Sequence, residues 1–205
     1  MGRLAAQRLA AGGAAVAAID VNEAGLGETA KGQAGIHPFP LDVTDRKEVA
    51  GAIARIESEI GPIDRVLNAA AIMPTGLLLE QDPELIHRVM DINYCGTVNV
   101  CQAVLPKMLQ RRQGDLVNFA SVAGWMPTLH FGAYNASKFA VVAYTEVLYH
   151  ENRDRGVRFA CVLGLKMSRE VLRRSQGIRK LCERNLNATR WSGPCCNASE
   201  EKFPK

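Results

Sequence analysis

The sequence predicts an α/β fold: a doubly wound parallel sheet with helices on both faces. Two observations carry this expectation. Short apolar runs alternate with helix-length amphipathic stretches from residue 2 to residue 162, and parallel strands need a crossover of that kind between them. Asp20, Asp42, Asn68 and Ser121 each stand just after such a run. All four therefore fall on the carboxyl edge of the sheet, the edge at which open α/β sheets bind ligands. A chain of 205 residues, 47% of them hydrophobic, sustains one sizeable core. Residues 1–164 carry the alternation and form that domain. Residues 165–205 read as a separate basic tail, helical at first and then irregular.

Each element has its own signal. Residues 2–11 place Leu4, Ala5 and Leu9 on one helical face, and Gly12-Gly13 closes the helix. Residues 14–19 form a buried strand that ends on Asp20, and residues 36–41 lead to Asp42-Val43. From 45 to 60, Val49, Ile53, Ile56 and Ile60 recur at helical spacing until Gly61-Pro62 stops them. Val66-Leu67-Asn68 is the next strand, running into Ala69. A long helix is expected over 83–112, with Leu85, Val89, Ile92, Gly96 and Val100 on one face. Asn93 lies on that stripe, where a buried amide must find partners. Residues 116–120 form a buried strand that delivers Ser121. The helix after it runs to about residue 155 and is apolar nearly all round in its first half. That pattern suggests burial on two sides, against the sheet and against a second copy of the chain, hence a homo-oligomer through the long helices. Residues 157–162 are the last strand. No internal repeat is evident.

Charge and cysteine usage narrow the classes. The net charge of +4 is uneven: residues 165–205 hold ten Lys/Arg against four Asp/Glu, a net +6, which leaves the first 164 residues at −2. Only Trp191 and Phe203 interleave with that basic tail, so no nucleic-acid partner is expected. No apolar run approaches the ~18 residues of a membrane helix and no signal-peptide pattern opens the chain, so no membrane span and a cytoplasmic location are expected. The six cysteines show neither CxxC nor Cys/His spacing, so no metal site and no disulfide framework are expected. Asn135, Asn187 and Asn197 begin glycosylation-type triplets, but the first falls inside the motif described next, which shows how weak that pattern is.

The chemistry concentrates in residues 121–138. Tyr134 and Lys138 are four apart at the start of a helical pattern, so their side chains lie one turn apart on one face. A cation within roughly 4–6 Å favours a phenolate and lets a tyrosine trade protons nearer neutrality. Such a pair taken alone is usually an ordinary half-buried Tyr beside a snorkelling Lys. With Ser121 thirteen residues before the Tyr, with the strand that delivers it, and with Asn93 upstream, the chain resembles the short-chain dehydrogenase/reductase family. Tyr134-Asn-Ala-Ser-Lys138 and Asn118-Phe-Ala-Ser-Val-Ala-Gly124 carry the likeness.

The resemblance implies a Rossmann-like fold, NAD as cofactor, and reversible hydride transfer to or from a small-molecule carbonyl or secondary alcohol. By the same likeness Tyr134 is the general acid/base. Lys138 eases its deprotonation and holds the nicotinamide ribose, Ser121 orients the substrate oxygen, and Asn93 supports a proton relay. Asp20 would hold the adenosine ribose and favour NAD over NADP, although an Asp after a strand also caps helices. Asp42-Val43 resembles an adenine contact, although Asp42 could simply start a turn. Asn68-Ala69 resembles the family's Asn-x-Ala-Gly element, with Ala71 where Gly is usual. The likeness covers residues 2–162 and departs at both ends. The family's Thr-Gly-x-x-x-Gly-x-Gly loop is represented only from Gly2, without the strand and the two glycines before it, as in a member truncated at its start. After residue 162, Leu163-Gly164-Leu165-Lys166 replaces the family's Pro-Gly and Thr. Besides a working dehydrogenase, a member with weakened cofactor binding that acts as a partner subunit fits these departures. So, more distantly, does a nucleic-acid binder using the tail.

Overall fold

Local chemistry sets where the helices begin. The computed structural model describes residues 1–163, and the tail readings lie outside that range. Helix α1 (Gly2–Ala11) leads into β1 (Val16–Asp20). Helix α2 (Glu23–Ala30) follows, started by the Asn22 side chain, whose Oδ1 accepts from Gly25 N at 2.9 Å. Strand β2 (Ile36–Pro40) precedes α3 (Arg46–Glu59), where Asp45 accepts from the Lys47 and Glu48 amides. Strand β3 (Arg65–Asn68) is followed by α4 (Pro83–Met90), which Asp82 caps and Pro83 opens. Both are residue types that suit a first turn. The remaining elements are α5 (Gly96–Arg111), β4 (Gly114–Phe119), α6 (Gly132–Asn152) and β5 (Val157–Val162).

The single helix expected over 83–112 is interrupted. Asp91–Cys95 form one widened π turn between α4 and α5, and Asn93 sits in it fully buried. Turns of this kind concentrate at functional sites. Pairing departs from the expectation too. All strands are parallel, as predicted, but they form two ladders, β1–β2 and β3–β4–β5, in place of one continuous sheet.

Hydrogen-bond parity shows what this leaves open. In a parallel strand alternate residues aim their backbone groups at opposite neighbours. Val16 N donates to Gly35 O, and Asp20 O accepts from Leu41 N, so Ala17 and Ile19 turn away from β2. Asp64 O accepts from Asp115 N, so Arg65 and Leu67 turn away from β4. Side chains join what the backbones do not. Val49, Ile53 and Ile56 of α3, Val100, Val104 and Met108 of α5, and Leu116 of β4 form one core, with Ala17 and Ile19 packed against it. A smaller cluster of Ala120, Val141 and Val142 lies under the start of α6, next to Tyr94 and Cys161.

Candidate active site

Strand β4 ends at Phe119 and hands the chain to Ser121, which heads a single 3-10 turn, Val122–Gly124. The Ser121 hydroxyl accepts from Ala123 N at 3.2 Å and fixes that turn. Gly124 lets the turn lie directly on α6. A Cβ there would stand 2.7 Å from the Lys138 carbonyl oxygen and 2.9 Å from its carbon, closer than any side-chain carbon sits against backbone. The turn that carries Ser121 is thus held against the helix that carries Tyr134 and Lys138.

Lys138 is only 3% exposed. Its Nζ donates to Phe119 O at 2.7 Å and lies 5.7 Å from the Tyr134 ring centroid. Burial pulls its pKa down to about 8, against a small opposing pull from Cys161, whose own thiol burial pushes up to about 11. An ammonium carries three donors, and among the described residues only Phe119 O takes one. A buried cation with unused donors suits a hydroxyl-rich ligand such as a ribose.

Both amide hydrogens of Asn93 are engaged. Its Oδ1 accepts from Ile72 N at 2.8 Å, and its Nδ2 donates to Ile72 O and to Ser137 Oγ, each at 2.9 Å. Ser137 Oγ in turn donates to Tyr134 O at 2.8 Å. The amide therefore ties the segment after β3 to the first turn of α6. Its backbone carbonyl accepts from Thr97 Oγ1 at 2.9 Å.

The other residues singled out by sequence stand at the ends of the strands. Asp20 is exposed at the end of β1. Its Oδ1 accepts from Asn22 N at 3.0 Å, and Asn22, not Asp20, caps α2. Asp42 does start a turn, accepting from Thr44 N and the Thr44 hydroxyl, both at 2.9 Å. Val43 packs on Gly96, where a Cβ would come within 2.6 Å of Val43 Cγ2, and its carbonyl accepts from Asn99. Asn68 points inward: its Nδ2 donates to Asn118 Oδ1 at 2.9 Å and to Cys101 Sγ at 3.4 Å. Ala69, next along, is half-buried. Gly2 is exposed, with nothing within 4 Å of an added Cβ.

Ser121, Tyr134, Lys138 and Asn93 thus converge on the start of α6, while Asp20 and Asp42 lie at strand ends of the other ladder or just past them. Sequence reasoning missed the polar core behind them. Asn118 is fully buried, accepts from Asn68, and donates to Thr145 Oγ1 at 2.9 Å. Burial in the same region raises the Cys101 thiol to about 12. The available signal was an Asn in the middle of an apolar strand, which must find a partner. No cluster of three potential metal ligands occurs among the described residues. Two shallow surface depressions, one beside His87 and Arg88 and one beside Leu105 and Tyr144, lie away from Tyr134.

A family model described as short chain dehydrogenase matches residues 1–173. The chain is 33% identical over 167 residues to an uncharacterised oxidoreductase of Staphylococcus saprophyticus, covering 79% of this chain and 71% of that protein. It is also 33% identical over 162 residues to 2,3-dihydro-2,3-dihydroxybenzoate dehydrogenase of Bacillus subtilis, covering 77% and 62%, less than two thirds of that relative's length. Among solved structures, serine dehydrogenase of Escherichia coli superposes with a TM-score of 0.73 at 25% identity, covering 77% of this chain and 74% of that one.

Proposed function

From a chain that belongs to the short chain dehydrogenase family, we propose an oxidoreductase that moves a hydride between NAD(H) and a carbonyl or secondary alcohol. The observation that carries this reading is Lys138: a buried ammonium with one acceptor among the described residues, one helical turn from Tyr134 and behind the turn of Ser121. When bound, the nicotinamide supplies or accepts the hydride. Tyr134 gives a proton to the substrate oxygen or takes one from it, and Ser121 holds that oxygen. Lys138 keeps positive charge beside the phenol and offers its remaining donors to the ribose. Asn93 acts as a positioning residue, holding Ile72 and Ser137 around the helix start.

Cofactor choice follows from Asp20. A carboxylate at the end of β1 accepts ribose hydroxyls and repels a 2′-phosphate, which favours NAD over NADP. Asp42, Val43 and the backbone of Asn68 and Ala69 would border the adenine and the bridge to the nicotinamide, with the N-terminus of α1 at Gly2 nearest the phosphates. The reading extends to a homo-oligomer through α5 and α6, where Phe139 and Val147 of α6 stay exposed, and to a cytoplasmic location. No helix among the described residues is long and apolar enough to cross a membrane. The test is a titration with NADH followed by addition of ketones. Saturable NADH binding and ketone-dependent loss of nicotinamide absorbance are expected, and no binding at any concentration would refute the assignment.

A further inference from the structure

Two loops reach the first turn of α6, the turn that carries Tyr134. One is the segment after β3, residues 72–81, and the other continues the Ser121 turn through residues 125–131. They are joined where Gly76 N donates to His130 O at 2.9 Å, with His130 held at a φ of 68°. The left-handed region is costly for a non-glycine residue and concentrates at functional sites. The first loop also packs on the helix itself: a Cβ at Gly132 would come within 2.6 Å of Leu78 Cδ1. Phe131 stands 6.4 Å from the Tyr134 ring, centroid to centroid.

These loops are apolar where they meet water. Six of the eleven large hydrophobic side chains exposed among the described residues belong to them: Met73, Leu77, Leu78, Leu79, Trp125 and Leu129. Leu79 is 100% exposed and Leu129 86%. Scattered exposed leucines need no explanation, but a grouped set beside a reactive site does. Charge is nearly absent. Neither loop contains Lys or Arg, and Glu80 is the sole carboxylate. The buried polar side-chain atoms without a partner among the described residues are those of the Gln81 amide, a neutral group at the end of the first loop. A phosphate or carboxylate on a ligand would find no counter-charge here, whereas a hydrocarbon body would cover surface that otherwise faces water.

We infer that the loops 72–81 and 125–131 form an apolar rim around Tyr134 that binds the body of an uncharged, long-chain or polycyclic ketone or secondary alcohol. The inference rests on Tyr134 and Ser121 being the site of chemistry. The patch belongs to the ligand and not to a second copy of the chain, because it converges on the turn of Tyr134 and the loop of Ser121.

The test uses the full chain with Trp191→Phe, which leaves Trp125 as its one tryptophan. The NADH-loaded protein is titrated with 2-butanone, 2-hexanone, 2-octanone and 2-decanone, and Trp125 fluorescence reports binding. Affinity should rise about threefold to fourfold for each added methylene that reaches the rim. A Leu77→Ser, Leu79→Ser, Leu129→Ser variant should flatten that dependence while binding NADH with unchanged affinity. All three side chains are exposed, so the variant should keep its melting temperature. 8-Oxononanoate, a methyl ketone with its carboxylate at the end that reaches the rim, should bind at least tenfold more weakly than 2-octanone. Affinity independent of chain length, or the same dependence in the variant, would overturn the inference. So would a dimer that falls apart in the variant, since the patch would then be a subunit contact. Chain-length-dependent binding without reduction of any ketone would support the rim while refuting the oxidoreductase reading.

Discussion

Substituting Gly124 by Ala asks how tightly the Ser121 turn must sit on α6. The added Cβ would stand 2.7 Å from Lys138 O, 2.9 Å from Lys138 C and 3.0 Å from Val142 Cγ2. The first two atoms are backbone, so no rotamer change relieves them. Ordinary contact begins near 3.4 Å, which requires the turn to lift by about 0.7 Å. Overpacking of this kind costs about 1–3 kcal/mol. In a domain of this size that lowers Tm by roughly 2–4 °C per kcal/mol, so a fall of about 4–8 °C is expected from the middle of the range. The lift also moves Ser121 relative to Tyr134, and a misplacement of about 1 Å can cost about a hundredfold in rate. We therefore expect kcat/KM for a ketone to fall by about tenfold to a hundredfold, with NADH affinity much less affected. Circular-dichroism melting and steady-state kinetics read the two effects. Gly51→Ala is the control: it lies within α3 with nothing within 4 Å of an added Cβ, and should gain about 0.5–1 kcal/mol from helix propensity. A Gly124→Ala protein that melts and turns over like the parent would refute the close-approach argument.

Two further outcomes follow from the buried charge and from Asp20. The folded pKa of Lys138 is about 8, below its ordinary 10.5, so the buried ammonium costs stability at every pH below about 8 and the cost fades as pH rises toward 10.5. The gap corresponds to about 3 kcal/mol. The stability of Lys138→Met relative to the parent should therefore drop by about that amount between pH 8 and 10.5 in denaturant titrations. A difference that stays constant over that range would show that the ammonium is not desolvated. Asp20→Asn should narrow the preference for NADH over NADPH by about tenfold or more in equilibrium titrations, since one repulsive charge is removed; equal binding of the two cofactors by the parent would take Asp20 out of the site.

Much of this was legible before any coordinates. The spacing of Val49, Ile53 and Ile56 marked α3, and the Ser121, Tyr134 and Lys138 pattern marked the place where the elements converge. What stayed hidden depends on tertiary contacts. Helix α2, Glu-Ala-Gly-Leu-Gly-Glu-Thr-Ala, holds two glycines and a single large apolar residue, so its own sequence argues weakly for a helix. The Asn22 cap and the burial of Leu26 hold it. The widened turn at 91–95 has no sequence signature because its anchor, Ile72, lies 21 residues away. The split into two ladders was equally unreadable, since periodicity identifies strands and not their partners. The role of Asn68 in the polar core was hidden as well, its amide donating to Asn118. Only the pairing of β3 with β4 brings those two residues opposite each other.

The central claim is that Tyr134 moves the proton while hydride passes between nicotinamide and a carbonyl carbon. Its most direct test is a single-turnover reaction with deuterated NADH and a ketone, read by mass spectrometry of the alcohol, in the parent and in Tyr134→Phe. The parent should place one deuterium on the carbinol carbon. Tyr134→Phe should bind NADH with affinity within about twofold of the parent and slow the transfer by about a thousandfold or more. Deuterium transfer at an unchanged rate in Tyr134→Phe would contradict the account.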